Sequence, residues 1–197
     1  MIVISPAKRL SNKACDIILN ATTPAFDEEA NLLAKQLAKL NASDLTNLMG
    51  VSNSIAELNV ERFNSWGNSK KEERRAIFQF EGDVFKHLDV RNLDNDDIAY
   101  MNERLRILSG IYGLLRPSDE MNPYRLEMGT KHNFGDSKNL YDFWGDKIAN
   151  QIKLETKGSI LFNLASEEYF SSIKKYTEPL KVIDFKFLSV SGGKERI

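Results

Sequence analysis

Cysteine and histidine are scarce in this chain of 197 residues: there is one cysteine, Cys15, and two histidines, His87 and His132. A single thiol cannot form an internal disulfide, which suits a reducing compartment. The two histidines have no cysteine at metal-ligand spacing, so no metal site is expected and both read as surface residues. No apolar run approaches the roughly 20 residues that cross a bilayer. The opening Met1-Ile2-Val3-Ile4-Ser5-Pro6 has no basic flank and too short an apolar stretch for a secretory signal. The expected location is therefore the cytoplasm, without membrane contact. Charge of one sign is missing too: 27 basic residues face 28 acidic ones, a net charge of -1. That is not the bulk signature of a nucleic-acid binder, although a neutral protein can hold a local basic cleft. No phosphate-binding loop, nucleophile elbow, dinucleotide fingerprint or metal cluster occurs. No cofactor is expected, and no motif names a catalytic residue. Repeats and low-complexity linkers are absent as well.

What is present is an ordinary globular balance, 42% hydrophobic and 28% charged. Ile2-Val3-Ile4 reads as a buried strand ended by Pro6. Phe26 to Leu40 carries one apolar stripe, with Asp27, Glu28 and Glu29 at its start, and predicts a helix. Ser43 or Asp44 can cap a short helix stopped by Gly50. Further helices are predicted around Ile55 to Trp66, over Lys70 to Phe80, from Asp94 through Leu108, and from Ser137 to about Ile152. Ser159 to Leu164 and Leu180 to Val190 read as strands. The fold class is mixed α/β (α+β), one domain over 1–197, with helices in the middle of the chain around a mixed sheet. Ser191-Gly192-Gly193-Lys194 resembles a hairpin turn with no room for a return strand before Ile197, so the C-terminal part of the fold is expected to be missing.

Chemistry concentrates between Leu108 and Asp146. In Leu108-Ser109-Gly110-Ile111-Tyr112-Gly113 two glycines flank an apolar residue, as in the turn of a helix-hairpin-helix. There, backbone N–H groups approach a phosphate, and Arg116 would add charge. The alternative is a helix cap at Gly110 followed by a buried strand, Ile111 to Leu115. In Pro123 to Thr130, an extended chain sets Tyr124, Leu126 and Met128 on one face and Arg125 and Glu127 on the other. Arg125 then either pairs with Glu127 or clamps a phosphate or carboxylate. Asp142 and Asp146 stand four apart and share a helix face, either as a solvated pair or as an acid–base or Mg²⁺ pair. Ser166, Glu167 and Glu168 open a helix after a strand, and Lys8 follows the first strand, the usual place for a site in an α/β sheet.

Six stretches in order carry a family likeness: Ile4 to Lys8, Phe80-Glu81-Gly82-Asp83-Val84-Phe85, Leu108 to Pro117, Pro123 to Thr130, Leu140 to Lys147 and Asn163 to Phe170. Together they resemble the YaaA family of bacterial peroxide-stress resistance proteins over essentially the whole chain. The resemblance implies a cytoplasmic protein that limits oxidative damage and is associated with low free intracellular iron. It also implies double-stranded DNA binding through a positively charged cleft and a helix-hairpin-helix element. Two departures are visible: the family usually has Tyr where Phe85 stands, and its members run on past residue 197 through further strand and a basic helical segment.

Two functions follow as expectations. The first is a DNA binder whose anion-binding residues are Lys8, Gly110, Tyr112, Gly113, Arg116, Tyr124 and Arg125. The second is an enzyme acting on an anionic or nucleotide-like substrate in a pocket formed by Lys8, Arg125, Glu127 and Asp142, with Glu167 a further candidate carboxylate. A pocket gathering those groups favours the enzyme, and an extended basic groove favours DNA.

Overall fold

The computed structural model describes residues 1–11, 20–68, 75–156, 158–185, 189–191 and 194–196. The strands are β1 (Ile2–Ile4), β2 (Arg9–Leu10), β3 (Phe80–Glu81), β4 (Leu105–Ser109), β5 (Gly113–Leu115), β6 (Ile160–Asn163), β7 (Lys181–Asp184), β8 (Ser189–Ser191) and β9 (Lys194–Arg196). The α-helices are α1 (Asp27–Leu37), α2 (Ala42–Met49), α3 (Asn53–Asn64), α4 (Ala76–Gln79), α5 (Asp83–Leu88), α6 (Asn95–Arg104), α7 (Leu140–Trp144), α8 (Lys147–Glu155) and α9 (Glu167–Phe170). Among the described residues no helix is long and apolar enough to cross a membrane.

A five-stranded sheet runs in the order β5-β4-β1-β6-β7. β1 is parallel to β4 and β6, β6 is parallel to β7, and β5 returns antiparallel beside β4. A strand flanked on both sides reads as a continuous apolar run, which is why three residues, Ile2-Val3-Ile4, suffice to mark β1. Parallel neighbours need long crossovers. The crossover from β1 to β4 contains α1 to α6, and α7 and α8 lie between β5 and β6. This is the mixed α/β architecture expected, with helices in the middle of the chain.

The helix starts follow from local chemistry. Asn41 and Asp44 form a reciprocal cap on α2, and Gly50 ends it at φ 60. Asp94 accepts the Asp97 N–H at 2.9 Å to start α6. On α1 the residues Ala30, Leu33, Ala34 and Leu37 are buried in the i, i+3, i+4, i+7 pattern. They join Phe63, Tyr112 and Trp144 in the core.

Several expectations are corrected. The α6 helix stops at Arg104, and Leu105 to Leu108 belong to β4 rather than to a helix face. The expected helix from Ser137 to Ile152 is two helices: Asn139 caps α7, and Gly145, at φ 50, breaks the chain before α8. Asp142 and Asp146 therefore share no helix face. The turn after β8 does have a return strand, since β9 pairs with β8 from Ser191↔Lys194 to Ser189↔Arg196. Of the expected helix at 70–80 only α4 lies within the described residues, because 70–74 fall outside them.

The stretch read as a helix-hairpin-helix turn is a β-hairpin, with Ser109 paired to Gly113. Gly113 sits at φ +65, and a Cβ there would stand 2.8 Å from the Trp144 ring. Gly113 thus serves a positive φ and an indole, not a phosphate. Gly113→Ala should cost about 2–4 kcal/mol, from the left-handed backbone plus overpacking against Trp144. Chemical denaturation checks this, and a loss below about 1 kcal/mol would remove the packing account.

Asp119 is 1% exposed. Burial pushes its carboxyl up to about 6, against the bonds donated by Thr22 and the Arg116 N–H. The folded chain therefore takes up a proton there between about pH 4 and 6 that the unfolded chain, at a usual carboxyl value near ~3.9, does not hold. Stability from this group is greatest below pH 4 and falls as pH rises to 6, by at most about 1.4 kcal/mol for each unit of difference. Asp119→Asn should flatten that fall in a series of denaturation midpoints. An unaltered slope would show that the bonds to Thr22 and Arg116 keep Asp119 ionised.

Candidate anion-binding site

The carboxyl ends of β1, β4 and β6 lie together, and three connections leave from them: Ser5 to Lys8, Gly110 onward, and Leu164 to Ser166. Ligands in open α/β sheets collect at this edge. The Ser166 N–H donates to Ser5 Oγ at 2.9 Å, tying the first and third connections. Ser166 holds the N-cap position of α9 as expected, but its hydroxyl pairs with Ser5 instead of capping.

The segment 123–130 lies across this edge without strand pairing and ends in a turn at Met128 and Gly129, where the Thr130 N–H donates to the Glu127 carbonyl at 3.1 Å. Its inner face is Tyr124, Leu126 and Met128, all buried. Tyr124 shares a hydrogen bond with Ser109 Oγ at 2.6 Å. The Gly129 N–H donates to Glu168 Oε1 at 2.8 Å. Burial holds the phenols of Tyr124 and Tyr169 far above their ordinary values, so neither ionises near neutrality. These two rings are structural anchors.

Alternation then turns Arg125 and Glu127 the other way. Arg125 Nη2 donates to Glu127 Oε1 at 2.8 Å, and Lys8 Nζ meets Glu127 Oε2 at 2.9 Å. One carboxylate thus bridges two cations. Arg125 Nε is buried and has no hydrogen-bond partner among the described residues. The three side chains border a cleft of about 560 Å³, with Lys131, Glu168 and the end of α2 completing its wall. Three cations against two carboxylates leave a positive excess in a small space. A guanidinium with an unused N–H beside a lysine can hold a phosphate or carboxylate by charge-assisted hydrogen bonds, and a carboxylate between them can exchange a proton. A second hollow of about 610 Å³ adjoins it, bordered by Lys8, Val84, Phe85, Leu164 and Phe185.

The structure brings together Lys8, Arg125 and Glu127, three of the four residues expected around a pocket. The fourth, Asp142, stays out of the cleft, its carboxylate accepting the Lys138 N–H at 3.0 Å. Glu167 pairs with Lys174 at 2.9 Å, and it is Glu168 that reaches the cleft. Gly110 is buried, and its carbonyl accepts the Trp144 indole N–H at 3.0 Å. The Tyr112 hydroxyl accepts the Asn122 N–H at 2.8 Å, inside the core. Arg116 pairs with Glu155 of α8, beside buried Arg106. Burial raises the Glu155 carboxyl, but bonds from Gln151, Arg106 and Arg116 outweigh it and hold the group below its usual value. Gly110, Tyr112, Gly113, Arg116 and Tyr124 therefore sit in hairpin packing or structural ion pairing, away from the cleft. Lys131 and Glu168 were missed. Lys131 lies one residue past the stretch singled out, and choosing Glu168 over Glu167 requires the phase of a four-residue helix.

Comparison with known proteins agrees with the sequence resemblance. The family model described as peroxide stress protein YaaA matches residues 1–197. A UPF0246 protein of Clostridium botulinum (strain Alaska E43 / Type E3) is 45% identical over 177 residues, which is 88% of this chain and 69% of the relative. A UPF0246 protein of Caulobacter vibrioides (strain NA1000 / CB15N) is 40% identical over 200 residues, covering 100% of this chain and 78% of the relative. With a family model matched from end to end and relatives of this similarity, the chain belongs to the YaaA family of peroxide stress proteins.

Proposed function

We propose that this protein serves in protection against peroxide stress by binding a phosphate-bearing, nucleotide-like ligand in the cleft of Lys8, Arg125 and Glu127. The family description supports the general role. The observation that carries the ligand class is Arg125 Nε, a buried donor without a partner among the described residues, beside a carboxylate that already bridges Arg125 and Lys8. Leaving such a donor unsatisfied costs about 1–3 kcal/mol, which favours a shift of the guanidinium toward an arriving anion. Glu127 is the group placed to move a proton on the bound ligand.

A second reading, duplex DNA, draws on Lys8, whose side chain is 65% exposed at the rim shared by both hollows. Backbone phosphates would reach Lys8 and Arg125 without any base being read. The compactness of the cleft favours the small ligand over the duplex.

Calorimetric titration with inorganic phosphate should give saturable binding that weakens with salt. Lys8→Ala and Arg125→Lys should each weaken it about tenfold or more, through a lost charge and a lost planar fork respectively. Unchanged affinity in both would remove the cleft as the anion site. For DNA, anisotropy of a labelled duplex should lose affinity equally for all sequences in Lys8→Ala, with the salt slope reduced by about 0.9 per phosphate contact.

Glu127→Gln tests the pairing itself. Without the carboxylate's charge, Lys8 and Arg125 are both available to an anion, and phosphate affinity should rise several-fold. A fall in affinity would mean that Glu127 positions the cations more than it competes for them.

A further inference from the structure

The hollow beside the cleft has a different chemistry. Its outer wall is apolar and exposed: Val84 is 51%, Phe185 48% and Leu164 38% exposed, although each is a large hydrophobic side chain. Three such side chains around one concavity at the carboxyl edge of a parallel sheet form one apolar surface, not scattered exposure. A close approach borders the hollow. A Cβ on Gly82 would lie 2.9 Å from that of Ala7, so the loop into α5 rests directly on the connection after β1. Arg9 and Glu81 pair across β2 and β3 just beyond. Lys8 belongs to both concavities, and its ammonium is turned to Glu127 on the cleft side.

We propose that the two concavities take one ligand, a nucleotide, with its base against Val84, Leu164 and Phe185 and its phosphate on Lys8 and Arg125. This rests on the anion-binding reading of the cleft and names its substrate class. A flat π surface matches the apolar wall, to which the half-exposed Phe185 ring, tilted against Phe162 at 6.2 Å between centroids, adds an aromatic contact that tolerates any base. The charge matches on the other side of Lys8. The two volumes, about 610 and about 560 Å³, each lie within the range of small-molecule pockets. The nucleotide is either free or an unstacked residue of a single strand, and the chemistry at the two concavities is the same for both.

The test titrates the full chain with inorganic phosphate, adenosine 5′-monophosphate and a short single-stranded oligodeoxyadenylate. Adenosine monophosphate should bind about tenfold or more tightly than phosphate. Val84→Gln and Phe185→Ala should each erase most of that gain while leaving phosphate affinity unchanged. Val84 is an exposed position, which keeps that variant informative should the other lose stability. A gain with the mononucleotide assigns a free ligand, and a gain with the oligonucleotide alone assigns a strand; the hollow is supported in both cases. Phosphate binding without any gain from a base overturns the hollow and leaves the cleft standing. A gain that both variants retain places the base elsewhere and also overturns it. Absence of phosphate and nucleotide binding alike removes the cleft reading and this inference with it.

Discussion

At the end of β4 the chain has no side chain at Gly110, and the segment 123–130 uses that space. A Cβ at residue 110 would lie 2.5 Å from the Leu126 carbonyl oxygen, a backbone atom that cannot swing aside. This contact sets the height of the segment over the sheet edge. Tyr124 then reaches Ser109, Gly129 reaches Glu168, and Trp144 bonds back to the Gly110 carbonyl. With the inner face fixed, the alternation of an extended chain decides that Arg125 and Glu127 face the cleft. Arg125 and Glu127 are thus held by packing on their neighbours, which is how a candidate site keeps its geometry.

The electrostatics follow from that placement. Glu127 is shared between Arg125 and Lys8, so one negative charge stands against two positive ones, and the buried Arg125 Nε–H has no partner among the described residues. Sharing one carboxylate limits the desolvation that an unpaired buried cation would suffer. Buried Arg106 is handled separately: Glu155 takes it together with Arg116 away from the cleft.

The legible parts of the fold were those written in local chemistry. Asp94 and Gly50 bound their helices as their side-chain and backbone preferences dictate, and β1 and β6 stood out as short apolar runs. The misread parts were those settled by tertiary contacts. Leu105 and Leu108 continue the helical phase of Ile98 and Met101, yet pairing with β1 makes them a strand. Gly145 interrupts a stretch whose apolar spacing is otherwise helical. At the site, Arg125 and Glu127 were legible because alternation sets them opposite the buried face of their segment, and Lys8 because it follows a strand at the sheet edge. The glycines of the hairpin were misplaced for a physical reason: close approach at a glycine looks the same in sequence whether the neighbour is a phosphate, a carbonyl or an indole. Only the fold supplies the Leu126 carbonyl and the Trp144 ring.

The central claim is that Arg125 receives the anion. Nitrogen-15 spectra of the arginine Nε–H groups during titration with inorganic phosphate address it directly. The account predicts that the Arg125 signal moves saturably while those of Arg106 and Arg116, held by Glu155, stay in place. An unmoved Arg125 signal while phosphate binds, or a response led by Arg116, would contradict it.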